Sequence, residues 1–260
     1  MGWVTFLIAL FTYVSTLEPT VSFWDCGEYI ATSVKLQVGH PPGAPVFQLV
    51  ANVLSQLAFG DVSRQAFYVN MVSGLSSAFT IPFLFWTITM LGRKLFATDD
   101  ISKGQEIILI GSGLVGALAF TFSDSFWFSA VEGEVYAMSS CFTAIAFWAV
   151  LKWESVVDSD EYANRWLLLI AYLTGLSVGI HILVFLTIPS VVMIYFYKKF
   201  PEVNWKKWVL ANAASIGILA LVFAVIIPFV LSLFGWLEIT AVNSLSMPKN
   251  SGSFIAVLLL

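Results

Sequence analysis

Three short stretches hold the residue types that could do chemistry. The first is Trp24-Asp25-Cys26-Gly27-Glu28, followed by His40-Pro41-Pro42-Gly43. The second is Glu132-Gly133-Glu134, and the third is His181, the one imidazole or formally charged side chain between Arg165 and Lys198. Asp25 and Glu28 are three apart, which puts both on one face of a helix. That spacing fits a carboxylate base with a supporting acid, and it fits equally an interfacial helix whose polar face meets water. Trp24 and Tyr29 suit a membrane–water interface. His40 adds a titratable or metal-binding group, although a lone histidine is more often structural, and a proline pair after it would open a helix without stranding an N–H. Glu132 and Glu134, two apart on a helix, would point to nearly opposite sides. The pair fits a solvated helix start, where the dipole favours acids, or a shared site that only one of them faces; Glu134 directly precedes an uncharged run and is the one expected to face inward. His181 is expected as a hydrogen-bonded core residue or as a ligand for phosphate or metal.

The elements that must position these groups are membrane helices. The chain is 59% hydrophobic and 11% charged, against about 25% charged for a soluble domain. Several apolar runs reach the roughly 20 residues that one crossing needs. The expected fold is an all-α polytopic membrane bundle, a single transmembrane domain over 1–260. The net charge of −4 and the lack of a basic stripe exclude a nucleic-acid partner. Cys26 and Cys141 read as free thiols. Residues 3–17 lack a basic leader and a small-residue cleavage site, so they read as a first span rather than a signal peptide. The last residues, Phe254 to Leu260, are an apolar run, which reads as the N-terminal piece of a longer protein.

After the first span, an amphipathic helix is expected from Asp25 to Gln37 and an apolar helix over 42–59 opening at Pro42. Residues 64–92 are expected to break at Pro82. Spans are expected at 107–123, 135–151 and 208–234, with a polar segment over 235–252. The 32 residues from 166 to 197 carry no formal charge, too long for one pass at ~1.5 Å per residue. Residues 174–179 would be the apex between two short passes. The basic loops 93–106, 152–165 and 198–207 hold nine of the twelve Lys and Arg residues, which places them in the cytoplasm. Segments 18–40, 123–134 and 235–252 then face outward with Asp25, Glu28, Glu132 and Glu134, and with Lys35 and Lys249. One crossing too many lies between 40 and 93, so either 42–59 or 64–92 does not span as a single helix, or 64–92 is two helices.

The run Phe23 to Ile30 together with Gly39-His40-Pro41-Pro42-Gly43-Ala44-Pro45 resembles the GT-C superfamily of polytopic glycosyltransferases. It is most similar to a bacterial membrane family, common in Bacteroidetes, that is related to an animal protein O-mannosyltransferase. Glu132 to Met138 and Gly175 to His181 fit the same pattern. The resemblance implies a GT-C-like helix bundle in the bacterial inner membrane. It implies transfer of a mannose-type sugar from a polyprenyl-phosphate lipid to a protein or glycan acceptor on the exocytoplasmic face. Asp25 matches the base in the first outer loop, with Glu28 as alternative, since the related branch has adjacent Asp-Glu. Glu134 matches a second acid. His181 falls where a cationic or metal-binding residue lies beside the lipid phosphate, and Lys35, His40 and His181 are the outer-side donors for it. Glu132 joins the substrate-binding set, and a divalent metal is compatible but not required. The competing function is a secondary transporter or channel with acids along a cation path, which expects those acids near the bilayer midplane.

Overall fold

A computed structural model describes residues 1–96, 100–202 and 204–259. Parts of two basic loops (97–99 and 203) and Leu260 lie outside them. All regular structure among the described residues is helical: α1 (Gly2–Ser15), α2 (Cys26–Lys35), α3 (Pro45–Ser55), α4 (Val62–Arg93), α5 (Lys103–Thr121), α6 (Asp124–Val131), α7 (Val135–Val156), α8 (Arg165–Ser177), α9 (Ile188–Lys199), α10 (Trp205–Leu221), α11 (Ile227–Ile239) and α12 (Ser251–Leu259). Among the described residues, five helical runs are long and apolar enough to cross a membrane: Val62–Arg93, Lys103–Thr121, Val135–Val156, Ile182–Lys199 and Trp205–Ser244. The chain is an all-α polytopic membrane protein. Its contacts divide it into two units, Met1–Lys198 and the part from Lys199 onward.

In the first unit α4 is the central post, with α1, α3, α5 and α7 packed on it. Asp61 caps its start by accepting the Ser63 N–H at 3.0 Å. Small buried residues (Ala9, Ala78, Ala117 and Ala130) line one set of contacts, as expected where helices must approach closely without a hydrophobic drive from lipid. α1 runs antiparallel to α4. Its first turn puts Trp3 edge-on to Trp86, and near its other end Tyr13 donates to the Thr121 carbonyl at 2.9 Å. α7 runs parallel to α4: Glu134, at its start, meets Ser73, and Glu154, near its end, pairs with Lys94. Lys198 pairs with Asp158 at 2.6 Å, and a cavity lined by Arg93, Lys94, Glu154 and Lys198 lies at this end. The candidate acids Glu132 and Glu134 thus lie at the end where α4 and α7 start together, and Arg93, Lys94 and Lys198 lie at the other end with their acid partners Glu154 and Asp158.

Several boundaries differ from those expected. The helix after His40 begins at Pro45, not Pro42; Pro41–Pro42 is a cis peptide and the Gly43 N–H closes a turn on the His40 carbonyl at 2.9 Å. α4 continues through Pro82 as one 32-residue helix, since its packed neighbours hold it on course where an isolated helix would break. α1, α3 with the turn after it, and α8 are shorter apolar helices; the 11 residues of α3, at ~1.5 Å each, reach about 17 Å, short of a hydrocarbon core about 30 Å thick. The long run 166–197 does turn, at Val178–His181, between α8 and a short 3-10 segment, Ile182–Thr187.

In the second unit α10, a π-helical turn (Val222–Ile226), α11 and a second π-helical turn (Thr240–Ser244) form one continuous run. The expected polar segment from 235 is therefore helical to Ser244. Glu238 accepts the N–H groups of Asn250 at 2.6 Å and Ser253 at 2.9 Å, which ties the turn before α12 to α11.

Candidate active site

Asp25 is the residue just before α2, and Trp24, which precedes it, has a left-handed backbone with φ +56°. That conformation is costly for a bulky residue and sets the angle at which α2 departs. At its far end α2 stops on Leu36, also left-handed. The chain then doubles back along α2 and brings His40 to the helix's first turn. There Glu28 receives it twice. The His40 backbone N–H donates to Glu28 Oε1 at 2.5 Å, and His40 Nδ1 lies 2.9 Å from Glu28 Oε2. The other ring nitrogen, Nε2, lies 3.9 Å from Asp25 Oδ2. These bonds hold the Glu28 carboxyl below the usual carboxylate range, and the Glu28 hydrogen bond and charge raise the His40 imidazole above its ordinary value. Among the described residues, Asp25, Glu28 and His40 are the one His/Cys/acid group with donor atoms within 4.8 Å of one another. Hydrogen bonds join Glu28 to His40, and Asp25 stands beside that pair at 3.9 Å.

Glu132 and Glu134 arrive from α6 and α7, and here the expectation of opposite faces fails. Neither residue is helical. Both have extended backbones, with φ −123° and ψ 152° at Glu132 and φ −132° and ψ 164° at Glu134. Between them the chain bends at Gly133, where the Glu134 N–H donates to the Glu132 carbonyl at 3.0 Å. Both are buried, 4% and 5% exposed, and both line a cavity of about 280 Å³ with Trp24, Asp25, Ser129 and Tyr136. Burial, then the charges of Glu132 and Asp25, push the Glu134 carboxyl up to about 7. Burial also raises Glu132, against a bond from Ser22.

Two residues that sequence reasoning missed hold this arrangement. Asn70, buried in α4, donates to the carbonyls of Glu18 at 2.8 Å and Thr20 at 2.9 Å, and its Oδ1 lies 3.7 Å from the Cys26 sulfur. Ser73, one turn on, bonds the Glu134 carbonyl at 3.1 Å and accepts the Glu134 N–H at 3.3 Å. Their signal was present as polar residues in the otherwise uncharged run 65–92. Gly133 allows the approach: a Cβ there would lie 2.7 Å from Asn70 Oδ1.

His181 caps the 3-10 segment. Its Nδ1 accepts the Leu183 N–H at 3.2 Å, and its ring centre lies 5.2 Å from that of Tyr136, a wall of the acidic cavity. Burial lowers its pKa, so the ring is neutral near pH 7 and Nε2 carries the proton as a donor. Lys35 lies in the last turn of α2, at the opposite end of that helix from Asp25. The fold therefore gathers Asp25, Glu28, His40, Glu132 and Glu134, adjoins His181 through Tyr136, and leaves Lys35 apart.

The family model described as the Protein O-mannosyl-transferase TMEM260 N-terminal domain matches residues 25–204. A protein O-mannosyl-transferase tmem260 from Dictyostelium discoideum is 24% identical over 216 residues, 80% of this chain and 24% of its own length. Its namesake from Mus musculus is 29% identical over 154 residues, 59% of this chain and 19% of its own. The chain spans about a quarter or less of the length of these relatives. No solved structure matches it. With the match covering more than half of the 260 residues, and taking in Asp25, Glu28, His40, Glu132, Glu134 and His181, the chain belongs to the TMEM260 N-terminal domain family.

Proposed function

We propose that this chain is the membrane-embedded part of a GT-C-type glycosyltransferase. It moves mannose from a polyprenyl-phosphate lipid to a serine or threonine hydroxyl of a protein, on the exocytoplasmic face of a cytoplasmic membrane. The observation that carries the reading is the position of Asp25. It is half-exposed, at the start of α2, on the wall of the cavity that Glu132, Glu134 and Tyr136 share. A hydroxyl is a weak nucleophile and needs a base within reach. Asp25 is open to an acceptor from water, whereas Glu134 is buried and shifted toward the neutral acid. The neutral His181 ring offers an N–H to the leaving phosphate beside Tyr136.

A second cavity supports a lipid donor. It has a volume of about 440 Å³ and a largely apolar wall that includes Leu84, Phe120, Phe147, Leu183 and Leu186. Tyr136, Ser140, Thr143 and Phe147 follow helical spacing along one face of α7. That face joins the acidic cavity to the apolar one, as a head group and its isoprenoid chain would require. The outward face rests on the lysine and arginine distribution. The names of the relatives, protein O-mannosyl-transferase, support the sugar and the acceptor class.

The test is Asp25→Asn in the full-length protein, assayed in membranes with polyprenyl-phosphate mannose and a serine/threonine peptide. Loss of a general base costs ~10²–10⁴ in rate, and the isosteric change should leave membrane levels normal. Wild-type transfer rates in Asp25→Asn would remove Asp25 from the reaction.

A further inference from the structure

We propose that Glu28 acts through His40: it is a positioning residue that aims His40 Nε2 at Asp25, and His40 accepts the proton that Asp25 collects. This rests on the sugar-transfer reading above. Glu28 is poorly placed to be a base itself. One of its oxygens holds the His40 backbone N–H at 2.5 Å and the other holds Nδ1 at 2.9 Å. Because a carboxylate accepts, Nδ1 carries the ring proton, and Nε2 is left as a lone pair facing Asp25. The 3.9 Å between Nε2 and Asp25 Oδ2 is too long for a hydrogen bond. One side-chain rotation of the exposed Asp25, or one water, closes it.

A second observation points the same way. Gly39 precedes His40, and a Cβ there would lie 3.0 Å from Glu28 Oε1. Glycine leaves room for the carboxylate at the spot where it grips both backbone and ring. Such a double grip orients an imidazole and selects its tautomer, the function of the carboxylate behind any histidine base.

The proton is conserved through the sequence. The acceptor O–H bond breaks and its proton goes to Asp25. The acceptor oxygen bonds the sugar's anomeric carbon as the bond from that carbon to the phosphate oxygen breaks, its electron pair staying on the phosphate. Asp25 then passes the proton to His40 Nε2. The resulting imidazolium lies between two carboxylates and releases its proton to bulk water. The titratable groups facing His40 are Asp25, Glu28 and, at a ring distance of 6.3 Å, Tyr29. The acids favour the charged ring, so relay activity should rise with pH as His40 loses its proton.

The test is a pH–rate profile of mannose transfer to a serine/threonine peptide in membranes with full-length protein, run beside the pH dependence of His40 modification by diethylpyrocarbonate, which needs no turnover. In Glu28→Gln the acid limb and the His40 titration should both move to lower pH, since the carboxylate that raises the ring is gone. Gly39→Ala should move them in the same direction by displacing Glu28. His40→Gln should abolish the limb and lower the rate about 10²-fold. The proposal fails if the limb stays in place in Glu28→Gln, or if that variant is as inactive at every pH as Asp25→Asn. It also fails if a chelator abolishes transfer and a divalent cation restores it while the limb is unmoved, which would make the cluster a cation site. If the wild type transfers no mannose yet the His40 titration still shifts in Glu28→Gln, the transferase reading and the relay fall together and only the Glu28–His40 coupling stands.

Discussion

At the scale of single residues, three of the four carboxylates gathered at the site have three different environments. Asp25 is open to water, Glu28 is spent on His40, and Glu134 is buried against two other acids. Glu134 is the group whose chemistry differs most from an ordinary carboxylate. Its folded pKa, about 7, lies above the ordinary value near 4.5, so the folded protein binds a proton there that the unfolded chain releases. The stability this contributes is full below pH 4.5 and is lost as pH rises through 7. Thermal unfolding in detergent should therefore show a midpoint that falls across that window. Glu134→Gln, which stays neutral, should flatten the slope. An unchanged slope in the variant would mean that Glu134 ionises normally in the folded protein.

At the scale of elements, the site depends on how α4 holds the outer segments. Asn70 and Ser73 are polar groups in a central membrane helix, and each ends on backbone atoms of a loop that carries acids. Replacing Asn70 by Ala removes two part-buried hydrogen bonds to the carbonyls of Glu18 and Thr20. Each such bond contributes about 0.5–1.5 kcal/mol, and transfer activity should fall with stability because Asp25 follows that loop. Gly133→Ala drives a methyl group into Asn70 Oδ1 and, at 3.2 Å, Val69. Overpacking of this kind costs about 1–3 kcal/mol. Both losses are measurable as lowered unfolding midpoints in detergent, and midpoints within error of the wild type would show that α4 does not anchor the site. The two substitutions share one contact, so the double variant should lose less than the sum.

At the scale of the molecule, the distribution of lysine and arginine is the feature from which an orientation is expected. Asp25, Glu132 and Glu134 gather at the end where α4 and α7 begin, and Arg93, Lys94 and Lys198, with the acid partners Glu154 and Asp158, at the end where α4 and α7 finish. A transporter would need its acids in the middle of the bundle; here the candidate acids surround a cavity at one end. A cysteine at the fully exposed Val38 should react with an impermeant thiol reagent in intact cells, and one at Asp100 should not. Cys26 and Cys141 are buried and should stay silent. Labelling at 100 without labelling at 38 would reverse the orientation and put the acidic cavity in the cytoplasm.

Much of this was written locally. Long uncharged runs can only be helices in lipid, because each backbone group must be satisfied within its own segment. Hydropathy therefore sufficed for the helical class, the major spans and the turn after α8. The candidate site was legible as residue types, but not as partnerships. Asp25 and Glu28 read as a pair by spacing, yet Glu28 bonds a residue twelve positions away, because the segment after Leu36 folds back along α2. Glu132 and Glu134 read as opposed on a helix; the link between them is instead a tight turn at Gly133, held by Ser73 and by the close fit of Gly133 on α4. Pro42 carried the signal of a helix start, but the turn closed by Gly43 delays the helix to Pro45. The Gly43 turn is local, but for the acids the deciding contact comes from a segment distant in the chain, and local propensity holds no record of it. Composition and hydropathy suffice for a helical membrane protein, because lipid offers the backbone no other partner. Which acid faces water, which is buried and which is held by a histidine depends on contacts between segments far apart in the chain.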